Sequence, residues 1–577
     1  MMLLTTQTDE LNGQLRTLLS NNGISLSLKQ IQQFFIKSYQ QCVHRLQRAA
    51  VAEGLIDKKI SCASIGSYLE QLKLYSYQHQ LELKNWKTLH HELNESIINQ
   101  TLALAYQCQW HKMLKQQAKK TPYLWSWLKG LPPQELLNFL EQWGCTGHPY
   151  HPNFRAKMGF SRQEILEYSP EFNAKVSLSW SALHRSLAYT STPGKDFHWL
   201  FSTHFPKEYS LWREALRTQG VPADEYYPLP LHPWQWTNKL KTLAEPLVQQ
   251  KQFIVNSVFQ VTKPSMSFRT MMPLTPHSPH LKLAVGVHTT SSLRTVSPAS
   301  VANSSSLSQW LNRLLAENHY YKEQLFLARD LAGIHAKHPS IAENEKKHLA
   351  LIVRENPLKW LQLNQKLIPL AALFKCSPLS SKFLLSELIE LSSSNPVNYF
   401  MNYARQILRS QLHLLLVYGI ALEAHQQNTL IIIQDNRSVG IVIRDLGGIK
   451  ICQHALYDQV EKPKLHPDST ITCTELKELS NKFIHGNLLS NLAPCIDCLV
   501  VDFKLDRALL WQQIKLILEQ ILEEIKPEVD ATLYHWHHQQ LLVNPWQHKS
   551  LLTMRLHINP DQDLFSVVNN PLSKNDV

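Results

Sequence analysis

Only 17 of the 577 residues are glycine, about 3% against a usual ~7%. That scarcity constrains the fold more than any other feature. Folds assembled from repeated glycine-rich strand-to-helix turns need backbone at positive φ and close approach to bound phosphate, and this chain cannot supply them repeatedly. Neither G-x-G-x-x-G nor G-x-x-x-x-G-K-[ST] occurs, which removes the ordinary dinucleotide and P-loop readings. Apolar residues make up 44% and charged residues 18%. This is the composition of a chain with a large core, not of a disordered one.

The formal net charge of +12 suits an anionic partner: nucleic acid, anionic lipid or a polyanionic small substrate. The cations are dispersed. Lys119-Lys120 and Lys346-Lys347 are short pairs that read equally well as solvated surface. Nine cysteines fall at irregular spacings, and the single C-x-x-C, Cys495 to Cys498, has no second pair to make a zinc ribbon. Buried thiols are the expectation. Residues 1–10 lack the basic and apolar regions of a signal peptide. The apolar stretch 412–422 is interrupted by His413 and too short to span a bilayer. A soluble, cytoplasmic protein is expected.

Residues 1–130 predict helices, with Ile31, Phe34, Phe35 and Tyr39, then Leu69, Leu72 and Leu74, at helical spacing. The texture changes at Leu131-Pro132-Pro133. Strand-like runs follow at 253–258 and 281–288, and 305–350 reads as helical. Leu408, Leu412, Leu415 and Leu416 line one face of a helix predicted to end near Glu423. Strands at 429–433 and 440–443 flank a turn, Asp435-Asn436-Arg437-Ser438. Helices are predicted again near 475 and over 507–525. The expectation is a helix-rich α+β chain in three regions, 1–130, 131–350 and 351–577, with a site between the last two.

Four segments carry chemistry. In Glu423-Ala424-His425-Gln426-Gln427-Asn428 a polar loop precedes the hairpin, and Arg444-Asp445 ends it. A hairpin brings its ends together, so Asn428 and Asp445 can offer hard oxygen ligands to Mg²⁺ carrying nucleotide phosphates, as in kinases. The alternative is a capped helix with Asp445 in a structural ion pair. Ser267-Phe268-Arg269-Thr270, Lys282 and Thr290-Ser291-Ser292-Leu293-Arg294-Thr295 cluster cations with hydroxyls, a forked anion site or hydroxyl-rich loops. Gly147-His148-Pro149-Tyr150-His151-Pro152 fixes two imidazoles on a stiff turn, followed by Arg155 and Lys157; with no third ligand nearby, an anion site is favoured over zinc. His232-Pro233-Trp234-Gln235-Trp236 repeats the theme, with packing as good a reading as binding. Lys549 and Arg555 alone read as a helix face.

In order and spacing, over roughly 140–560, these motifs resemble the NRPS-independent siderophore synthetases, the aerobactin-synthetase family. One departure stands out: in the family pattern Lys precedes Arg after the paired His-Pro turn, whereas here Arg155 precedes Lys157, and their roles stay open. The resemblance implies a cupped hand: a helical thumb over 1–130, fingers with ATP-phosphate loops over 131–350, and a kinase-like palm over 351–577. It implies a homodimer using ATP and Mg²⁺ to adenylate a carboxylate, citrate in most members, and to pass the acyl group to an amine, polyamine or alcohol. Ser267, Arg269, Thr270 and Lys282 would grip the phosphates. Glu423, Asn428 and Asp445 would hold Mg²⁺ or order the nucleotide. Thr290, Arg294, His425, Gln427 and Lys549 would line the carboxylate pocket, reached also by His151 and His148. No nucleic-acid or membrane partner is implied. The competing reading is a kinase-like phosphotransferase using the same Asn428 and Asp445. A non-catalytic basic binding protein is a third, disfavoured because aromatics are not interleaved with the cations.

Overall fold

The computed structural model describes residues 6–573 apart from 57–63, 119, 193, 195, 291, 338–340, 459 and 558–562. Lys119 and Ser291 therefore lie outside the described residues. Helices Thr6–Asn21, Leu28–Ala52, Ile65–Gln78 and Trp86–Gln117 form the N-terminal layer. Ser27 and Ser64 start two of them with capping boxes. Ile31 is buried, while Phe35, Cys42 and Leu46 pack with Leu89, Leu93 and Ile97. Leu74 is exposed, because two positions after Leu72 a helix has turned to its opposite side.

A nine-stranded antiparallel sheet follows. Its order is Ala188–Ser191, Asp330–Ala336, Ala350–Arg354, His280–Leu283, Thr270–Pro273, Phe259–Pro264, Val176–His184, Tyr226–Leu231, with Phe253–Ile254 also against Val176–His184. The helix expected over 305–350 is corrected here. A helix covers Pro298–Glu317, and the rest contains strands Leu325–Leu327, Asp330–Ala336 and Ala350–Arg354. Strands buried on both faces carry no two-residue alternation to betray them. The run at 253–258 also breaks, because Asn256 Oδ1 accepts the Val258 N–H in a turn.

A smaller sheet places Leu325–Leu327 parallel to Arg437–Ile443, which pairs with Thr429–Gln434 and then Lys366–Pro369. Asp435 and Asn436 both have positive φ, 49° and 63°, the two-residue turn that matches strand twist. Helix Pro396–Tyr418 buries Leu408, Leu412, Leu415 and Leu416 but stops short of Glu423. Gly419 caps it at φ 63°, where a Cβ would lie 2.8 Å from the Tyr457 ring.

The helical run Leu476–Phe503 contains a π-helical segment, Ile484–Leu492. By length and composition it could cross a membrane, but 61% of its most apolar window is buried in the protein. Asn491 in that segment donates to Ala424 O at 3.2 Å and accepts from Tyr403 Oη at 2.7 Å, so the run braces the loop after Leu422. Cys495 and Cys498 are buried there as free thiols.

The closing contact joins distant parts of the chain. Leu552 and Leu556, from helix Leu551–Leu556, enter the core of the N-terminal helices. Arg555 Nε donates to Glu92 Oε2 at 2.8 Å, Nη2 to the other oxygen, and Asn153 Nδ2 reaches Glu92 at 2.7 Å. Glu92 is 1% exposed. Glu92→Ala should strand the Arg555 charge in the core, at a cost of about 3–5 kcal/mol. The expected result is a lowered midpoint in denaturant unfolding; an unchanged midpoint would mean that Arg555 finds another partner.

Candidate active site

A cavity of about 780 Å³ lies between the two sheets. Of the residues singled out in the sequence, Ser267, Arg269, Lys282, Thr290, Arg294, Glu423, His425, Gln427, Asn428, Asp445, Lys549 and His148 line it. Thr270 stands behind Ser267, hydroxyl to hydroxyl 3.5 Å, in a turn closed by Thr270 N–H to Ser267 O. His151 is buried, with neither ring nitrogen hydrogen-bonded, and does not line the cavity. This corrects the expectation that His151 reaches the pocket, while His148 does line it. Backbone N–H groups of Tyr150 and His151 donate to His148 Nδ1, which leaves the proton of a neutral His148 on Nε2.

Asp445 is the charge centre. It ends strand Arg437–Ile443 in the left-handed region, φ 66°, a conformation Asp tolerates better than most residues. Its Oδ1 lies 2.7 Å from Lys282 Nζ and 3.3 Å from Arg354 Nη2. Both cations come from neighbouring strands of the large sheet, with Ile352 in register with Lys282. Burial would raise the Asp445 carboxyl, but Lys282, Arg354 and Arg269 outweigh it and hold it well below the carboxylate range. Arg354 Nε also meets Asp330 at 2.7 Å.

The hairpin His288–Thr289 to Ser292–Leu293 delivers Arg294. Thr290 sits at φ 50°, a β-branched residue in the left-handed region, which costs on the order of 1–3 kcal/mol. Its hydroxyl accepts from Arg294 Nη2 at 3.2 Å, and Thr289 Oγ1 accepts from Nε at 2.6 Å. The guanidinium is therefore aimed by two side chains. Arg269 donates to Thr295 O, and its buried Nε has no hydrogen-bond partner in the structure. Burial, then Arg294, pushes its pKa down to about 10, still a cation at neutral pH.

Glu423 and Asn428 face each other at 3.4 Å, and Lys482 Nζ holds the other Glu423 oxygen. Burial pushes His425 down, favouring the neutral ring. Cys145, also on the wall, is pushed up to about 11 by burial and Glu171, so it is a thiol at neutral pH and a poor nucleophile. Lys549 lies on strand Trp546–Lys549, not on the expected helix face, and donates to both Asp563 oxygens at 2.8 Å. Arg155 and Lys157 converge on Glu171, at 2.9 and 2.6 Å.

Sequence reasoning missed Arg354 and Lys482. A cation ending the apolar run Leu351-Ile352-Val353 was the available signal for Arg354; Lys482 had none beyond its charge. His232 is fully buried and accepts the Trp234 N–H. Trp234 packs on Phe160, and Gln235 Oε1 accepts the Gly286 N–H at 2.8 Å, so this segment buttresses the strand and loop bearing Lys282 and Arg294.

A wall of Arg269, Lys282, Arg294 and Lys482 around Glu423 and Asp445, with Arg354 buried behind Asp445, suits a polyanion bound with a hard cation. Known proteins resemble this chain in both sequence and fold. Residues 136–375 match the IucA / IucC family, and 398–564 match a ferric iron reductase FhuF-like transporter family. An uncharacterized protein y4xN of Sinorhizobium fredii is 28% identical over 84% of this chain and 80% of its own. Staphyloferrin A synthase of Staphylococcus aureus is 25% identical over 78% of this chain and 75% of its own. The petrobactin biosynthesis protein AsbB of Bacillus anthracis superposes with TM-score 0.78 at 19% identity, covering 94% of this chain and 97% of that one. ATP-bound aerobactin synthetase IucA of Klebsiella pneumoniae gives 0.69 at 20% identity, covering 88% and 87%. Over most of its length the chain is similar in sequence and in fold to siderophore synthetases.

Two predictions follow from the geometry. A Cβ on Gly448 would sit 2.0 Å from Glu423 Oε2. Gly448→Ala should displace Glu423 and break its ion pair with Lys482, with the fold intact; a crystal structure of the variant reads it. His148, His232, His280 and His537 are pushed down to about 3, chiefly by burial. Between about pH 3 and 6.5 the unfolded chain binds protons that the native chain refuses. Stability should therefore fall as pH drops below about 6.5, seen as a lower unfolding midpoint at about pH 5 than at about pH 7.5.

Proposed function

We propose that the chain is an ATP-dependent, AMP-forming ligase that adenylates citrate or a related polycarboxylate and condenses it with an amine in siderophore biosynthesis. The observation that carries this reading is the convergence of Arg269, Lys282 and Arg294 on a cleft whose anionic centre is Asp445, itself backed by Arg354. No serine or cysteine nucleophile is needed. A substrate carboxylate oxygen attacks the α-phosphorus, and the bond to pyrophosphate breaks. The amine nitrogen then attacks the acyl carbon, AMP leaves, and the amine loses a proton. The protein's task is to hold polyanions in line and to neutralise developing charge.

Ser267, positioned by Thr270, would bind the phosphates with Arg269 and Lys282. The donor set fits Mg²⁺: Asn428, Glu423 and Asp445 supply the hard oxygens such an ion takes, and the ion would add charge neutralisation at the phosphates. Thr290 and Thr289 orient Arg294, which would span carboxylate and phosphate, with His425, Gln427, Lys549 and His148 around the carboxylate. The thumb, fingers and palm at 1–130, 131–350 and 351–577 belong to this reading, with the kinase-like palm carrying the hairpin. So do a homodimeric state, a cytoplasmic location and the absence of nucleic-acid and membrane partners.

With ATP, Mg²⁺, citrate and hydroxylamine, the expected products are a citrate hydroxamate and pyrophosphate. ADP formation without hydroxamate across a panel of acids would overturn the reading in favour of phosphoryl transfer. Arg294→Lys keeps the charge but cannot bond both threonines as a planar fork does. It should lower hydroxamate formation at saturating citrate by ~10²-fold or more, while ATP affinity changes far less. A rate within about threefold of the parent, well short of that loss, would remove Arg294 from the bridging role.

A further inference from the structure

A second, larger cavity of about 1080 Å³ lies behind the turn at 147–155, bounded by helices Leu28–Ala52 and Trp86–Gln117 and by 374–376. Thr146, Pro149, Phe154, Arg155 and Leu551 line both cavities, so the two adjoin along this turn. His148 belongs to the first cavity, while Arg45 of the second donates to its backbone carbonyl.

The second cavity is cationic in an unusual way. Lys375 is buried; its Nζ donates to Trp143 O and stands 4.7 Å from the Trp143 ring. Arg45 donates to the carbonyls of His148 and Pro149 at 2.9 and 2.7 Å and lies over Phe154. Arg48 lies over Tyr150 at 5.7 Å. Among the described residues, none of the three has a carboxylate within 4.0 Å. The two carboxylates that line the cavity are engaged elsewhere. Glu53 accepts from the N–H groups of Leu552 and Thr553, at 2.9 and 2.7 Å, and Asp497 pairs with Arg507 at 2.6 Å. Burial pushes the Lys375 ammonium down to about 7, the mark of a cation lacking its counter-charge.

We propose that this second cavity receives the nucleophile of the condensation, and that the nucleophile is an amine bearing at least one carboxylate: an amino acid with a side-chain amine, or a citrate monoamide with a free amine end. The inference rests on the ligase reading above. A polyamine brings only positive charge to a wall of Arg45, Arg48 and Lys375 and is repelled. A carboxylated amine supplies the missing anion and is anchored by it. The same positive field lowers the pKa of the bound ammonium, so more of it is present as the free amine that attacks. Hydroxylamine carries no carboxylate and reaches the acyl group without this anchor.

The test uses matched pairs that differ by one carboxylate: ornithine against putrescine, and lysine against cadaverine, together with citryl-putrescine, in the full-length protein with ATP, Mg²⁺ and citrate. Expected is at least ~10-fold higher kcat/KM for a carboxylated amine than for its decarboxylated partner. Arg48→Glu, on the exposed rim, and Lys375→Met should each raise the KM for that amine by ~10-fold or more, while citrate hydroxamate formation with hydroxylamine changes by less than about threefold. Equal or better use of the decarboxylated amines, or no carboxylated amine exceeding them, overturns the proposal. So do variants that leave the KM unchanged. Loss of hydroxamate formation in the parent protein would instead sink the ligase reading, so the two failures are distinguishable.

Discussion

The architecture turns on one half-buried carboxylate shared by two sheets. Asp445 ends a strand of the small sheet, while Lys282 and Arg354 rise side by side from the large one. None of the three tolerates its position alone, since an unpaired buried charge is far more costly than a paired one. Their mutual need fixes the angle of one sheet against the other, and with it the width of the cleft. A parallel tie runs beside it: Arg444 bonds Glu141 at 2.7 Å, and Glu141 also accepts the Met266 N–H at 2.9 Å. Adjacent residues of one strand end thus hold the large sheet's side of the cleft by one hand and the Pro133–Trp143 helix by the other.

This arrangement explains why the two sequence readings of Asp445, ligand or structural ion pair, were not alternatives. In the structure the residue stands in the ion pair and faces the cleft at once. A ligand entering that cleft meets cations that already have a counter-charge. Lys282 is thus held at the cleft wall, and Arg354 behind it, without a bound anion.

Much of the site was legible because its chemistry lies in short polar runs set against an apolar chain: the loop at 423–428, the hydroxyl and arginine pairs at 267–270 and 290–294, and the two His-Pro turns. The hairpin was legible from Asp435-Asn436, since few residues accept the positive φ found there. What was hidden has physical causes. Strands Asp330–Ala336 and Ala350–Arg354 are buried on both faces, so no alternation marks them, and Arg354 was lost with them. The end of helix Pro396–Tyr418 lay at a lone glycine inside an apolar run, where periodicity continued past the true stop. Which of His148 and His151 reaches the cleft depends on the rotation of a rigid turn, and no spacing rule encodes that.

The docking of helix Leu551–Leu556 on the N-terminal layer has a further consequence. Glu92 and Arg555 are 463 positions apart, and the strand carrying Lys549 precedes that helix directly. A contact so distant in sequence forms late, because the loop it closes must first surrender its entropy. While the chain is still emerging from the ribosome, the two sheets and their charges can assemble, but the N-terminal core still lacks Leu552 and Leu556. The first helices to be made are therefore among the last to be finished, because part of their own core arrives from the other end of the chain.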